Sequence, residues 1–167
     1  INPGVSITLS NKATATGTGA TITPAYTVNL AGGGLILNNT ADQTHTPNIT
    51  TGGELVIFRS SGAGITTLSG SITATGITKF GLGDMRLQGD NRGTLTGDVT
   101  FSGDNWFRLN NQMALGCCVT NPYADGNRFV SNGGRYFSDT AFYYLSEFVA
   151  NQDTRVGGNG SAFKSLT

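Results

Sequence analysis

Four aspartates between residues 84 and 104 each follow a glycine, and they are the first candidates for chemistry in this sequence. They are Asp84, Asp90, Asp98 and Asp104. Carboxylates stacked at equivalent turns of a repetitive fold could bind Ca²⁺ through their oxygens. However, the sequence lacks the nonapeptide of calcium-binding β-rolls, and Asp is favoured in turns because it hydrogen-bonds its own backbone. The four aspartates are therefore weak calcium candidates, and no metal or other cofactor is predicted.

Catalytic groups are equally sparse. Two carboxylates facing one cleft could cleave a glycosidic bond, but their separation cannot be seen in a linear sequence. His45 is the single histidine, in the polar stretch 38–48, and it is predicted to be a solvated loop residue. A lone histidine cannot build a metal site, and no Ser or Cys stands in a recognisable nucleophile motif. The sequence therefore predicts a protein that is not an enzyme.

The two cysteines, Cys117 and Cys118, are adjacent. Neighbouring cysteines could close only a strained ring, so a disulfide between them is not expected. In a strand their side chains would point to opposite faces. Two interpretations stay open: one buried thiol beside an uninvolved one, or a disulfide between subunits.

The composition points to a location outside the cell. The 167 residues include 25 glycines, and only 12% are charged, where about a quarter is usual for globular proteins. Ten basic and ten acidic residues cancel, and no basic stripe is present that could bind nucleic acid. No apolar run is long enough to span a bilayer. An extracellular or cell-surface protein without a transmembrane segment is predicted.

Short strands with glycine-rich corners are the elements that must position these residues. Val5, Ile7 and Leu9 alternate with polar residues, which is typical of a strand. Glycine-rich corners recur about every twenty residues, a spacing found in solenoids. The structural corners predicted between residues 81 and 103 are Gly81, Gly83, Gly89, Gly97 and Gly103. The fold predicted is all-β, a parallel β-solenoid; an antiparallel β-sandwich is the alternative.

We expect one domain, residues 1–167, in three parts. Residues 1–75 are rich in Thr, Ala and Gly, residues 76–121 are repeat-like, and residues 122–167 form an aromatic-rich end. The aromatic residues indicate a wider core or an adhesive outer face. One short helix is possible at 138–152, where apolar residues share one helical face; two short aromatic strands are the competing interpretation.

Residues Gly76 to about Asn121 carry a family resemblance. The residues that match are Gly76, Lys79, Gly81, Gly83, Leu87, Gly89, Asn91 and Gly97. In this order they resemble the autotransporter-associated β-strand repeat, and Asp84 and Met85 depart from it where Thr and Leu are usual. The resemblance implies a secreted or surface-displayed parallel β-helix, and it implies an architecture without a catalytic site.

The predicted function is that of an extracellular structural protein. Exposed ends of a solenoid can pair with further copies, so head-to-tail assembly into a filament or surface appendage is expected. One alternative is a stalk or passenger segment of a cell-surface adhesin, with surface glycans as possible partners. A second is a polysaccharide-acting β-helix enzyme or a tailspike fragment. The abrupt start at Ile1 and the glycine-rich stretch 157–167 suggest that further windings come from a longer gene product or a neighbouring subunit.

Overall fold

The computed structural model describes residues 7–10, 20–22, 28–30, 34–38, 41–116 and 127–167. Cys117 and Cys118 lie outside the described residues. Within them, the chain forms sixteen strands in sequence order: β1 Ile7–Ser10, β2 Ala20–Ile22, β3 Val28–Leu30, β4 Gly34–Asn38, β5 Gln43–His45, β6 Ile49–Thr51, β7 Glu54–Arg59, β8 Ile65–Leu68, β9 Ile72–Thr73, β10 Gly76–Gly81, β11 Asp84–Leu87, β12 Val99–Leu109, β13 Phe129–Ser138, β14 Tyr143–Ala150, β15 Thr154–Gly158 and β16 Ala162–Leu166.

The strands stack in parallel on three faces. The first face contains β1, β4, β7 and β10 and continues into the first parts of β12 and β13. The second contains β2, β5, β8 and β11, the later parts of β12 and β13, and then β15. The third contains β3, β6 and β9, with an isolated bridge from Ala74 to Leu95. All these pairings are parallel, so the solenoid prediction is confirmed and the antiparallel sandwich is wrong.

The register of the first face shows the winding directly. Leu35 pairs with Ile57, Ile57 with Lys79 and Lys79 with Phe101, a constant step of 22 residues. The next step, from Phe101 to Ser131, is 30 residues. Side chains alternate between inside and outside along each strand, so that inward positions stack on one another from winding to winding.

The helix considered at 138–152 is wrong, because this segment contains strand β14. Tyr144, Ser146 and Phe148 are buried in alternation, a period of two. Part of β14 pairs with β13 and part with β16. Pairing on the ladder and aromatic packing outweigh the helical pattern, since Tyr and Phe are strong strand formers.

Glycine makes the corner between the first and second faces. Gly81 ends β10 and Gly83 precedes β11, with φ of +87° and +77°, a region that residues with a Cβ rarely adopt. A Cβ on Gly81 would lie 2.3 Å from the carbonyl oxygen of Arg59, and one on Gly83 would lie 2.2 Å from that of Ser61. Backbone angle and close approach of the preceding winding therefore both require glycine here.

The other three predicted corner glycines also lie where windings come close. Gly103, with φ of +99°, lies inside β12 where that strand passes from the first face to the second. A Cβ on Gly89 would lie 2.1 Å from the carbonyl oxygen of Gly70, and one on Gly97 would lie 1.8 Å from that of Thr75. In both cases the neighbouring atom belongs to the preceding winding.

Candidate functional site

Asp84 belongs to an ion-pair network on the outside of the second face. Its carboxylate lies 2.9 Å from Arg108, and Arg108 also reaches Asp139 at 3.2 Å. Arg86, which is in register with Arg108, lies 2.5 Å from Asp139. The Arg108 guanidinium also lies over the ring of Phe137, 4.7 Å from its centre. Two carboxylates thus meet here, but arginines occupy the space between them.

The remaining three aspartates each pair with one arginine at the surface. The pairs are Asp90 with Arg92 at 2.5 Å, Asp98 with Arg128 at 2.5 Å, and Asp104 with Arg135 at 2.9 Å. Side-chain hydrogen bonds from Arg92 lower the pKa of Asp90 below its usual value. The described part of the chain contains no group of three or more His, Cys, Asp or Glu residues that could hold a metal ion.

Asp139 and its arginines were missed in the sequence. A recurring tripeptide could have found them, because Met85-Arg86-Leu87 is followed 22 residues later by Phe107-Arg108-Leu109. At the pitch of the solenoid, this repetition stacks two arginines on the outside, and stacked cations require carboxylates beside them.

His45 is not the solvated loop residue that was predicted. It lies in β5, its side chain faces the core, and only 2% of it is exposed. Burial, with a smaller contribution from the charge of Arg59, lowers its pKa to about 4. The prediction failed because the polar residues around His45 concealed an inward-facing position of a short strand.

Two buried cations lie near His45 at the corner of the first and second faces. Arg59 donates to the carbonyl oxygens of Ala63 at 3.2 Å and Gly64 at 3.1 Å. The ammonium group of Lys79 donates to the carbonyl oxygen of Gly81 at 3.3 Å. Burial, together with the charge of Arg59, lowers the pKa of Lys79 to about 8. These cations satisfy corner carbonyls that the strand ladders leave unpaired.

The best candidate for a functional surface is the end of the solenoid formed by β15 and β16, which we call the terminal edge. Among the described strands, β15 pairs only with β13, and β16 pairs only with β14. Val156 is in register with buried Tyr136, and Leu166 with buried Phe148, so both occupy core-facing positions. Nevertheless Val156 is 65% exposed and Leu166 is 75% exposed.

The aromatic core runs up to the terminal edge. Phe163 of β16 stacks on Tyr144, with ring centres 5.1 Å apart, and on Phe129 at 5.8 Å. Phe148 lies 5.2 Å from Phe163. The packed column of rings thus reaches the last winding, where the adjoining apolar side chains meet solvent.

The opposite end of the described structure offers a second strand edge. β1, β2 and β3 each pair with one strand of the next winding, namely β4, β5 and β6. Ile7 and Leu9 are in register with Leu35 and Leu37, which are buried. Both ends therefore combine open backbone ladders with apolar residues at core-facing registers, as a strand-addition contact requires.

No protein-family model matches the sequence, and no curated protein or solved structure shows significant similarity to it. The resemblance of residues 76–121 to the autotransporter-associated repeat stays a prediction. None of the described segments forms a helix long and apolar enough to cross a lipid bilayer.

Proposed function

We propose that the chain is an extracellular structural protein that extends a β-solenoid, with copies stacking end to end into a filament. The observation that carries this proposal is the terminal edge, where core-facing Val156 and Leu166 are exposed beside unpaired strand edges. An open parallel ladder with an apolar interior is complementary to another winding of the same kind.

Apolar burial alone is too weak to hold such a contact. Covering Val156 and Leu166 contributes about 1.5–3 kcal/mol each, whereas association costs about 4–15 kcal/mol in lost translational and rotational freedom. The hydrogen bonds of the ladder must therefore form as well. We expect assembly to be specific for a partner that presents strands in parallel register.

The two ends differ, so the contact between copies joins unlike surfaces. One end presents β15 and β16, and the other presents β1, β2 and β3. A contact of this kind leaves the same pair of surfaces free after each addition and does not close on itself. Repetition along the solenoid axis yields a filament.

Two observations support a non-enzymatic role outside the cell. The four aspartates predicted as acid candidates are all engaged by arginines, which leaves no carboxylate pair facing an open cleft among them. The low fraction of charged residues and the repeat-like sequence 76–121 favour a secreted or surface-displayed protein.

A stalk within a larger surface adhesin is the second candidate. In that case further windings of the same polypeptide, instead of another copy, would cover Val156 and Leu166. The mass of the intact natural polypeptide separates the two: a mass near 17.3 kDa favours the filament, and a mass several times larger favours the stalk.

The test compares Leu166→Lys and Val156→Lys with Ser165→Lys. Ser165 is in register with Glu147, which lies between two buried residues of β14 and so points outward. We expect rods or fibres of the unaltered protein in negative-stain electron microscopy, and the same for Ser165→Lys. Each of the two core-facing lysines should weaken association, measured by sedimentation, at least about tenfold, because its charge would be buried on stacking.

Two results would contradict the proposal. One is a protein that stays monomeric at its highest soluble concentration. The other is unchanged assembly of both core-facing variants, which would place the contact elsewhere. Melting temperatures of all three variants should stay close to that of the unaltered chain, because the substituted side chains are exposed in the single copy.

A further inference from the structure

An apolar groove of about 550 Å³ crosses the outside of the first face over β4, β7 and β10. Its two sides are columns of outward-facing residues in register. Gly34 and Val56 form one column, and Ile36, Phe58 and Phe80 form the other. Successive members of a column come from successive windings, so the groove runs along the long axis with a spacing of about 4.8 Å between strands.

The two phenylalanines in this groove are unusually open to solvent for sheet residues. Phe58 is 37% exposed and Phe80 is 40% exposed, and their ring centres are 5.1 Å apart. They form a continuous aromatic surface across two windings. Exposed apolar surface of this kind, bordered by polar residues, commonly marks a binding site.

Glycine keeps the opposite side of the groove open. A Cβ on Gly34 would lie 2.5 Å from the carbonyl oxygen of Val56, so no side chain can occupy this position without moving the backbone. The volume lies within the range of about 300–1,000 Å³ that is usual for small-molecule sites. The groove is therefore built into the backbone and does not depend on a side-chain rearrangement.

One carboxylate borders the groove. Glu54 is exposed and accepts a hydrogen bond from the hydroxyl of Thr78 at 2.5 Å. Among the described residues Glu54 has no basic partner, in contrast to Asp84 and Asp98, which arginines neutralise. A carboxylate beside two aromatic faces attracts a cation twice, through its charge and through the ring quadrupoles.

We propose that this groove binds a flat organic cation, an aromatic ring system that carries a quaternary or protonated nitrogen. The ring system lies along Phe58 and Phe80, and the positive charge lies near Glu54. An anion is disfavoured by the carboxylate, and a strongly hydrated metal ion gains nothing from the apolar walls. The site is separate from the terminal edge, which lies on later windings.

The experiment titrates the protein with thioflavin T, a flat cationic dye, and follows its fluorescence. Leu166→Lys serves as the background for every variant, so that filament formation does not change the number of sites. We expect saturable binding with one site per chain. Glu54→Gln should weaken the affinity about threefold to tenfold and remove most of its salt dependence, as expected for one partly exposed ion pair.

Matched variants separate the groove from other surfaces. Asp153→Asn removes an exposed carboxylate outside the groove and should leave the affinity unchanged. Phe58→Leu with Phe80→Leu keeps the surface apolar but removes both rings, and should weaken binding at least about tenfold. Circular dichroism and melting temperature confirm that each variant is folded.

Three results would overturn the proposal. The first is no saturable binding, and the second is equal affinity of the leucine double variant, which would place the dye elsewhere. The third is competition by the protein itself. If a second copy occupies the groove, dye binding per chain falls as protein concentration rises, and the double leucine variant abolishes self-association.

Discussion

The solenoid is filled differently in its two halves, although the backbone winds in the same way. In windings β4 to β10 the interior combines aliphatic residues with buried Arg59, Lys79 and His45, while Phe58 and Phe80 face outward. In windings β12 to β16 the interior is aromatic, and the outside of the second face carries ion pairs. The comparison shows that the parallel ladder determines the shape, whereas the side chains determine how each half responds to pH and to mutation.

The largest difference between inside and outside should come from Phe129. Its ring lies within 4.9–5.8 Å of five other rings, those of Phe101, Phe107, Tyr136, Phe148 and Phe163. Phe129→Ala should lower the free energy of unfolding by about 3–5 kcal/mol. Phe80→Ala, on the exposed aromatic pair of the other half, should lower it by about 1 kcal/mol or less. Urea unfolding measures both, and equal losses would contradict the assignment of the aromatic core.

The corner beside Arg59 offers the next test. A Cβ on Gly83 would meet the Ser61 carbonyl oxygen and the Arg59 guanidinium, at a backbone angle that disfavours any side chain. Gly83→Ala should therefore lower the free energy of unfolding by about 2–4 kcal/mol. Gly53→Ala is the control, because nothing lies within 4 Å of its Cβ position, and a change within about 0.5 kcal/mol is expected. A control variant as unstable as Gly83→Ala would argue against the corner.

Alkaline pH should affect the two halves in opposite directions. The pKa of Lys79 is about 8 in the folded chain, below its ordinary 10.5, so the native state loses this proton first and stability rises between pH 8 and 10. The rise should be on the order of 2 kcal/mol. Burial raises the pKa of Tyr136 and Tyr144, so above pH 10 the unfolded chain ionises first and stability falls.

The measurement is urea unfolding at pH 7 to 11 with Lys79→Met beside the unaltered protein. The variant should lose the rise between pH 8 and 10 and keep the fall at higher pH, since the two tyrosines are in the other half. If the variant keeps the rise, Lys79 is not the group responsible.

Acid should destabilise the protein through His45. Its pKa is about 4 in the folded chain and 6.5 when unperturbed, so the unfolded chain binds a proton first as the pH falls. Stability is then lost from about pH 6.5 down to about pH 4, on the order of 1–2 kcal/mol by pH 5. His45→Leu, which cannot titrate, should show a smaller loss between pH 7 and 5. Identical pH profiles for both proteins would mean that His45 is not buried in its neutral form.

Part of this arrangement could be predicted because its causes are local. Gly81 and Gly83 indicated a corner, since a backbone bend with close approach of another winding favours glycine wherever it occurs. Alternation at Leu55 and Ile57 indicated a strand with one buried face. The inward position of His45 could not be predicted, because the choice of face for a strand of three residues depends on the winding beneath it.

Other features depended on contacts between distant residues. Asp139 binds Arg86 and Arg108, which are 53 and 31 positions away, so their meeting follows from the pitch of the solenoid. At 143–150 a helical pattern and a strand pattern were both present, and pairing with β13 and β16 decided between them.

By itself, the sequence determined that this chain winds in short strands with glycine corners, because backbone preferences and side-chain alternation act between near neighbours. Only the tertiary structure decided which charges are buried, which acids find an arginine and which apolar residues face solvent. These outcomes depend on what lies above and below each residue in the stack, and such neighbours are about twenty residues away along the chain.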